Sequence, residues 1–560
     1  MDNNVPETSE AVAETNAEEV KKEKKRNPIA RGLNAYFDIY GRGSNIKKEI
    51  FAGLLVFFEV IAFMMVNAEL LASSTDMSSY HAVYFASVLV TAITSVLVGM
   101  LCNVPFVQSA SLGMTVLIVT LVGQNAGLTY ANVMAIALVA NVVYFIVMVI
   151  PPARAFLFNA VPDSVRKALP AALGAFIIVY VLVQLNVLRI NTMNFADDLA
   201  SMASAGTPIT TFTLNYVSFS LDIGADADWY TFMPVITSVI AFVALLVLKH
   251  FNVKHATIIA FGGSLVLYVV MWLIRRNFTD YYFFAFVTPA YGGMYFYDGV
   301  NKILRVLRGN FFGAAFTQGF DFGGYADALA QTQADALGVA VEEVSVNAGG
   351  RIFMIFVTAV LSFLILGVSE TGATVAGHAF ASGTADERGR ALHTQNAFLR
   401  KAAPFANVYA VNALSSVFGC IMGAGPVVAR PESLTGTSEG GRTGLTAVVA
   451  GLLFIAALFT IALSGLFING MVVYGILFYV GLTLLTAFKN CDFTSFGKAL
   501  PFLATVVTAA VSLDFAAAIA IGVVSDTLMR ALSRDIRSIT VGNWVLTGVM
   551  LLSLIFGFVY

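Results

Sequence analysis

The stretch GAGPVVARPESLTGTSEGGRTGLTAVVAGLLF, residues 423–454, decides the fold. It opens on small residues and Pro426, carries Arg430, Pro431 and Glu432, and passes through a Gly/Ser/Thr-rich run. From Thr443 it becomes apolar. In a chain that crosses a membrane, this pattern puts Glu432 near the start of a short, broken helix at bilayer depth. A carboxyl group there is costly and marks function. Irregular backbone at that depth is tolerated only where it lines a cavity or is buried in protein.

The composition supplies the membrane. Of 560 residues, 58% are hydrophobic and 12% charged, against roughly 25% charged in a soluble domain. The net charge of −2 carries no nucleic-acid signature. The three cysteines, Cys102, Cys420 and Cys491, are scattered and show neither metal-ligand spacing nor a disulfide framework. Residues 1–35 lack the apolar core of a signal peptide. Their acidic part and the KKEKKR run at 21–26 read as a cytoplasmic tail, here bounded at 1–48. No P-loop, G-x-S-x-G or H-E-x-x-H motif is present, so the expectation is a non-enzyme without a cofactor. Uphill transport would draw on an ion gradient or a partner.

A spanning helix needs about 20 mainly apolar residues. Seven candidates fall in the first half, at about 50–71, 81–101, 106–122, 130–150, 168–187, 233–249 and 256–274. Seven more fall in the second, at 352–369, 403–421, 424–440, 443–463, 467–487, 499–513 and 515–532, and a further apolar stretch covers 541–558. The third segment of each half is interrupted: VPFVQSASLGMTVLIVTLVG (104–123) by Pro105 and a small-residue run, and 423–440 by Pro426 and Pro431. Two Pro/Gly-interrupted segments in corresponding places predict repeats with a binding site where the broken helices meet. An odd number of spans per repeat makes the halves inverted. The expected architecture is therefore an all-α polytopic membrane protein of 14 spans in two inverted seven-span repeats, 49–275 and 352–533. The loops 188–232 and 276–351 are expected outside, and 534–560 forms a C-terminal apolar segment. Lys and Arg asymmetry puts the N-terminus inside. Short amphipathic linkers, 151–167 and 488–500, precede the 168–187 and 499–513 candidates.

Few ionisable residues fall within the spans. Glu370, in FLILGVSETGATVAGHAF, ends the eighth candidate among small residues that let a ligand approach. It reads either as an acceptor and proton carrier or as a helix-end carboxylate facing water. Glu432 has the same two readings, and two carboxylates on separate inward elements suit a flat ligand rich in N–H donors. Arg430 could neutralise Glu432, reach the interface or attract an anion; an electrostatic role is favoured. Glu59, in the first span, is a third intramembrane acid that faces the same cavity or pairs elsewhere in the bundle. Glu69 and Asn67 read as interfacial, His378 as structural, and Asp514 and Asp526 as flanking the last repeat helix.

GGRTGLTAVVAGLLF (440–454), with Pro431, Glu432 and Ser433 upstream, resembles the corresponding spans of the nucleobase–cation symporter-2 family, in its AzgA-like adenine/guanine/hypoxanthine branch. SETGAT (369–374) is similar to that branch's eighth-span motif, VNAELL (66–71) to the end of its first span, and LDFAAAIAIGV (513–523) to its last spans. The resemblance covers about 45–535 except for the outer loops. It implies a core domain of 49–150 plus 352–463 moving as an elevator against a gate domain of 168–275 plus 467–532. It also implies short extended segments in spans 3 and 10 that form the site. The implied contacts are Glu432, Glu370, Ser109, Ala110, Ser111, Gly113, Pro431, Ser433 and Glu59, with Glu370 and Glu432 handling the coupling proton. The implied partners are a nucleobase, the bilayer of a bacterial inner membrane and a second copy in a homodimer. Four departures fall in this site: Glu370 for the usual Asp, Arg430 with Pro431, the SASLGM run, and Glu59 in place of a small polar residue. They leave an anion transporter of the same fold as one alternative, and a non-transporting receptor using its outer loops as another.

Overall fold

The computed structural model describes residues 27–74, 80–185, 187–194, 213–219, 229–251, 253, 256–276, 312–343, 348–381, 394–396, 401–403, 406–458 and 474–559. The basic run at 21–26, most of the 188–232 and 276–351 loops, and the junction of the 443–463 and 467–487 candidates lie outside the described residues, as do the side chains of Glu69 and His378.

The chain is a mostly helical, polytopic membrane protein. In the first half, α1 (Pro28–Phe37), α2 (Ile46–Ser73) and α3 (Tyr80–Cys102) lead into strand β1 (Gln108–Ala110) and helix α4 (Leu112–Gln124). Helices α5 (Tyr130–Val149), α6 (Pro151–Ala160) and α7 (Asp163–Gln184) follow. A hairpin of β2 (Leu188–Asn194) and β3 (Thr213–Phe219) precedes α8 (Trp229–His250) and α9 (Ala256–Arg276). In the second half, α10 (Gly323–Leu337) precedes the long α11 (Ala348–Ala381), a short β4–β5 hairpin (Thr394–Asn396, Lys401–Ala403) and α12 (Ala406–Met422). Strand β6 (Val427–Ala429) and helix α13 (Ser433–Ser438) are followed by α14 (Gly444–Ala457), α15 (Tyr474–Leu485), α16 (Phe496–Ser512), α17 (Phe515–Leu532) and α18 (Val541–Val559).

Among the described residues, six helices are long and apolar enough to cross a membrane, and six shorter ones are apolar. The 23 residues of α3 reach about 35 Å at 1.5 Å each, enough for a hydrocarbon core of about 30 Å. The 13 residues of α4 reach only about 20 Å, so the extended β1 completes its path. Exposed apolar side chains such as Phe58, Leu97, Ile146, Val243, Leu452 and Val507 suit contact with lipid.

Helices α2, α3, α4, α5, α11, α12 and α14 pack on one another around β1 and β6, whereas α7 packs with α15, α16 and α17, and α8 with α9 and α15. The closest helix approaches are bare of side chains. A Cβ on Gly444 would stand 1.9 Å from the Gly99 carbonyl oxygen, so α14 lies against α3 only because glycine is there.

Three boundaries differ from the sequence expectation. The helix carrying Glu370 does not end there but runs on to Ala381, because a single carboxylate interrupts hydropathy without breaking the backbone ladder. The spans that follow the linkers begin earlier, at Asp163 and Phe496, and absorb the ends of the linkers read at 151–167 and 488–500. Each of these helices carries an internal proline, Pro170 and Pro501. The remainder of the first linker is itself a helix, α6, opening on two prolines that tolerate the first turn of a helix.

Candidate functional site

The two interrupted segments meet. Strands β1 and β6 pair antiparallel, with Gln108 opposite Ala429, Ser109 opposite Val428 and Ala110 opposite Val427. The ladder continues at both ends: Ser111 N–H donates to the Pro426 carbonyl at 2.9 Å, and Arg430 N–H to the Val107 carbonyl at 2.9 Å. Outer polar groups of each strand are held by a serine from the preceding helix. Ser95 Oγ accepts from Gln108 N–H at 3.0 Å and donates to its carbonyl at 3.2 Å. In the other half, Ser416 Oγ accepts from Val427 N–H at 3.2 Å and donates to its carbonyl at 2.5 Å. The same device therefore anchors the first residue of both strands. It satisfies backbone groups that the hydrocarbon would otherwise leave orphaned.

Each broken segment also offers a hydroxyl to a carboxylate of the opposite half. Ser111 caps α4 by accepting from Met114 N–H at 3.0 Å, and its hydroxyl donates to Glu370 Oε2 at 2.7 Å. Thr435, on α13, donates to Glu59 Oε2 at 2.7 Å and to the Glu432 carbonyl at 2.6 Å. Glu370 thus sits at the N-terminus of α4, where the helix dipole favours negative charge. Its other oxygen, Oε1, is shielded from solvent and lies near the Gly113 backbone N–H, but meets no donor with hydrogen-bond geometry among the described residues. A Cβ at Gly113 would come within 2.2 Å of that oxygen, so glycine is what lets the carboxylate lie against the first turn of the helix. Thr374, one turn on from Glu370, donates to the Ala429 carbonyl at 2.7 Å and ties α11 to β6.

Arg430 takes the first of the three roles left open by the sequence. Its Nε donates to Glu432 Oε2 at 2.9 Å and its Nη2 to Glu432 Oε1 at 2.7 Å, a bidentate fork. Its Nη1 reaches across to the Ala110 carbonyl at 3.2 Å, and its guanidinium carbon lies 5.1 Å from the centroid of the Phe63 ring. The two side chains are only 6% and 13% exposed. Removing one member of so buried a pair costs about 3–5 kcal/mol, because the other charge stays behind.

Of the residues expected at the site, Glu370, Ser111 and Gly113 come together, as do Glu432, Arg430 and Ala110, and Glu59 with the second broken segment. Ser109 Oγ accepts from Thr91 at 3.1 Å rather than meeting a carboxylate. Ser433 faces back into the fold, where its Oγ accepts from Val107 N–H at 3.0 Å. Pro431 is exposed at the turn into α13. Asp514 caps α17 by accepting from Ala517 N–H at 2.9 Å, and Asp526 pairs with Ser164 and Arg530.

Thr435 and Gln108 escaped the sequence reading. Gln108 is fully buried in β1, and neither atom of its side-chain amide has a partner among the described residues. Glu49 escaped it too. This buried carboxylate accepts from Arg442 N–H at 2.9 Å, Thr443 N–H at 3.3 Å and Thr446 Oγ1 at 2.5 Å, and so caps α14 from another helix. Asn103 joins it, accepting from Gly444 N–H at 2.8 Å, while Ser44 donates to the Gly440 carbonyl at 2.7 Å.

The mostly helical, polytopic fold has transporters among its structural neighbours. Two solved structures share the fold: the transmembrane domain of a cyanobacterial bicarbonate transporter, BicA (TM-score 0.50, 11% identity, 85% of this chain and 97% of that one), and the murine Slc26a9 anion transporter in its inward-facing state (TM-score 0.50, 13% identity, 87% and 69%). No protein-family model matches the chain. Several curated relatives nonetheless match it over nearly its whole length. It is 24% identical over 508 residues to the adenine permease AdeP of Escherichia coli K12 (91% of this chain, 92% of the relative). It is 23% identical over 526 residues to the guanine/hypoxanthine permease GhxP of E. coli O157:H7 (93% and 96%), and 21% identical over 498 residues to the guanine/hypoxanthine permease PbuO of Bacillus subtilis (88% and 94%). The chain is a divergent relative of the nucleobase permeases, as its 440–454 and 369–374 motifs indicated.

Proposed function

We propose that this protein imports a purine nucleobase by proton symport. The observation that carries the reading is Glu370 Oε1, which lacks a full hydrogen bond among the described residues and is held beside the N-terminus of α4 where the two broken segments cross. A buried acceptor without a donor is an unmet requirement of about 1–3 kcal/mol. A ring N–H meets it, and so does a proton. One carboxylate can therefore both bind the base and carry the coupling ion. Sodium is the alternative coupling ion. The full-length similarity to adenine and guanine/hypoxanthine permeases supports the substrate class.

In this reading the chain has 14 spans in two inverted repeats. The core domain, 49–150 with 352–463, carries β1, β6 and their carboxylates and slides as an elevator against the gate domain, 168–275 with 467–532. Glu432 and Glu59 complete the acidic lining, with Ala110, Ser111 and Gly113 beside Glu370. The protein works as a homodimer in a bacterial inner membrane, with its N-terminus inside.

One observation favours a second reading, anion transport: a buried guanidinium lies in the site of a fold shared with bicarbonate and other anion transporters. The bidentate pairing of Arg430 with Glu432 weighs against it, since the positive charge is already matched. Uptake of radiolabelled guanine, hypoxanthine, adenine, xanthine and uracil into cells lacking their own nucleobase permeases, with and without an uncoupler, tests the two. Purine uptake that collapses with the uncoupler is expected. No uptake of any base, with the protein present in the membrane, would overturn the proposal.

A further inference from the structure

We propose that Arg430, not Glu432, is the group that reads the substrate beside Glu370, and that it selects 6-oxopurines against adenine. The inference rests on the purine reading above. Glu432 has both oxygens engaged in plane by the Nε and Nη2 of Arg430. It is the counter-ion that aims the guanidinium rather than an acceptor for a base. An arginine has five N–H donors in a fixed plane. Two go to Glu432 and one to the Ala110 carbonyl. That leaves one N–H on each terminal nitrogen with no partner among the described residues.

The guanidinium is fixed on every other side. Phe63 lies against its face, Glu432 holds one edge, and Ala110 links it to the segment whose next residue, Ser111, holds Glu370. The site therefore offers two donors from Arg430 and one acceptor, Glu370 Oε1.

A 6-oxopurine presents the complement along one side of the ring: N7 and O6 accept, and N1–H donates. An arginine fork on O6 and N7 is the commonest specific contact to guanine. Adenine presents acceptor, donor, acceptor along the same side. Its exocyclic amine would face an arginine N–H, and its N1 lone pair would face the Glu370 carboxylate. Turning the ring over does not repair both mismatches.

The test is competition against radiolabelled hypoxanthine in cells that express the full chain and lack other nucleobase permeases. Guanine, adenine and unsubstituted purine are the competitors. In the wild type, hypoxanthine and guanine should compete at least about tenfold better than adenine or purine, as expected for a lost bidentate contact. In Arg430→Gln, Glu432 is released and an amide that pairs with adenine takes the place of the fork, so the preference should fall by about tenfold or reverse. Arg430→Lys keeps the charge without the fork and should lose selectivity while still binding bases. Wild-type competition by adenine within about twofold of hypoxanthine would overturn the inference and leave the purine reading intact. So would an unchanged preference in either variant. Failure of every base to enter would overturn the purine reading itself, and this inference with it.

Discussion

Ser111 and Glu370 come from opposite halves of the chain and meet at 2.7 Å, hydroxyl to carboxylate. Thr435 and Glu59 repeat the contact in the opposite sense, also at 2.7 Å. The first broken segment is thus tied to an acid of the second half, and the second broken segment to an acid of the first. Hydrogen bonds to a charged partner contribute about 1.5–3 kcal/mol each. Ser111→Ala also removes a helix cap of about 1 kcal/mol. Hypoxanthine uptake by this variant should show a KM raised roughly tenfold or more, on the scale of 1.4 kcal/mol per factor of ten. Glu370→Gln should abolish proton-driven accumulation while still allowing the protein to reach the membrane.

Gly113 tests the same carboxylate by shape alone. A methyl group there would overlap Glu370 Oε1, and the flexible end of the side chain must yield. Gly113→Ala should leave the melting temperature in detergent within a few degrees of the wild type and depress uptake severely. Full activity in that variant would mean that the carboxylate does not work from the position it occupies against α4.

The 440–446 segment should behave differently. Glu49 accepts from two backbone N–H groups and one hydroxyl at the start of α14. Glu49→Ala orphans them, at about 1–3 kcal/mol for each buried group left unpaired. Gly444→Val forces α3 and α14 apart at a contact that has no room for a Cβ. Both variants should lower thermal stability and membrane yield, measured in detergent, whereas purine selectivity in whatever protein survives should not change.

Acid dependence of uptake should not come from Asp492, in the 488–500 linker. The Asp492 carboxyl is drawn down to about 2 by the Thr494 hydroxyl and by Lys498. A depressed carboxyl contributes its interactions above its ordinary range and loses them only as pH falls through the lowered value. Between pH 5 and 8 it is uniformly charged, by roughly three units of margin at the lower end. Asp492→Asn should leave the pH profile of uptake unshifted, whereas Glu370→Gln should flatten it.

Much of this site was legible before any coordinates. Pro105, Pro426 and the small residues beside them marked the two broken segments, because few other sequences can hold extended backbone at bilayer depth. Glu370, Glu432 and Glu59 stood out because carboxylates are scarce in apolar helices. Pairing was not legible. Whether Arg430 faced Glu432, lipid headgroups or a ligand depended on a fork geometry that no spacing encodes. The most distinctive motif, GGRTG at 440–444, served recognition of the family better than chemistry. Its backbone is clamped by Glu49, Asn103 and Ser44, and it packs α14 against α3. Gln108 reads as an ordinary polar residue until burial shows its amide without partners. The length of α11 was underestimated because hydropathy stops at Glu370, while the helix does not.

The most direct test of the central claim is uptake by the purified protein in liposomes with an imposed pH gradient. Hypoxanthine should accumulate when the outside is acid, and should equilibrate without accumulating when the gradient is collapsed or Glu370 is replaced by Gln. Bicarbonate or sulfate uptake with no response to any purine would contradict the account.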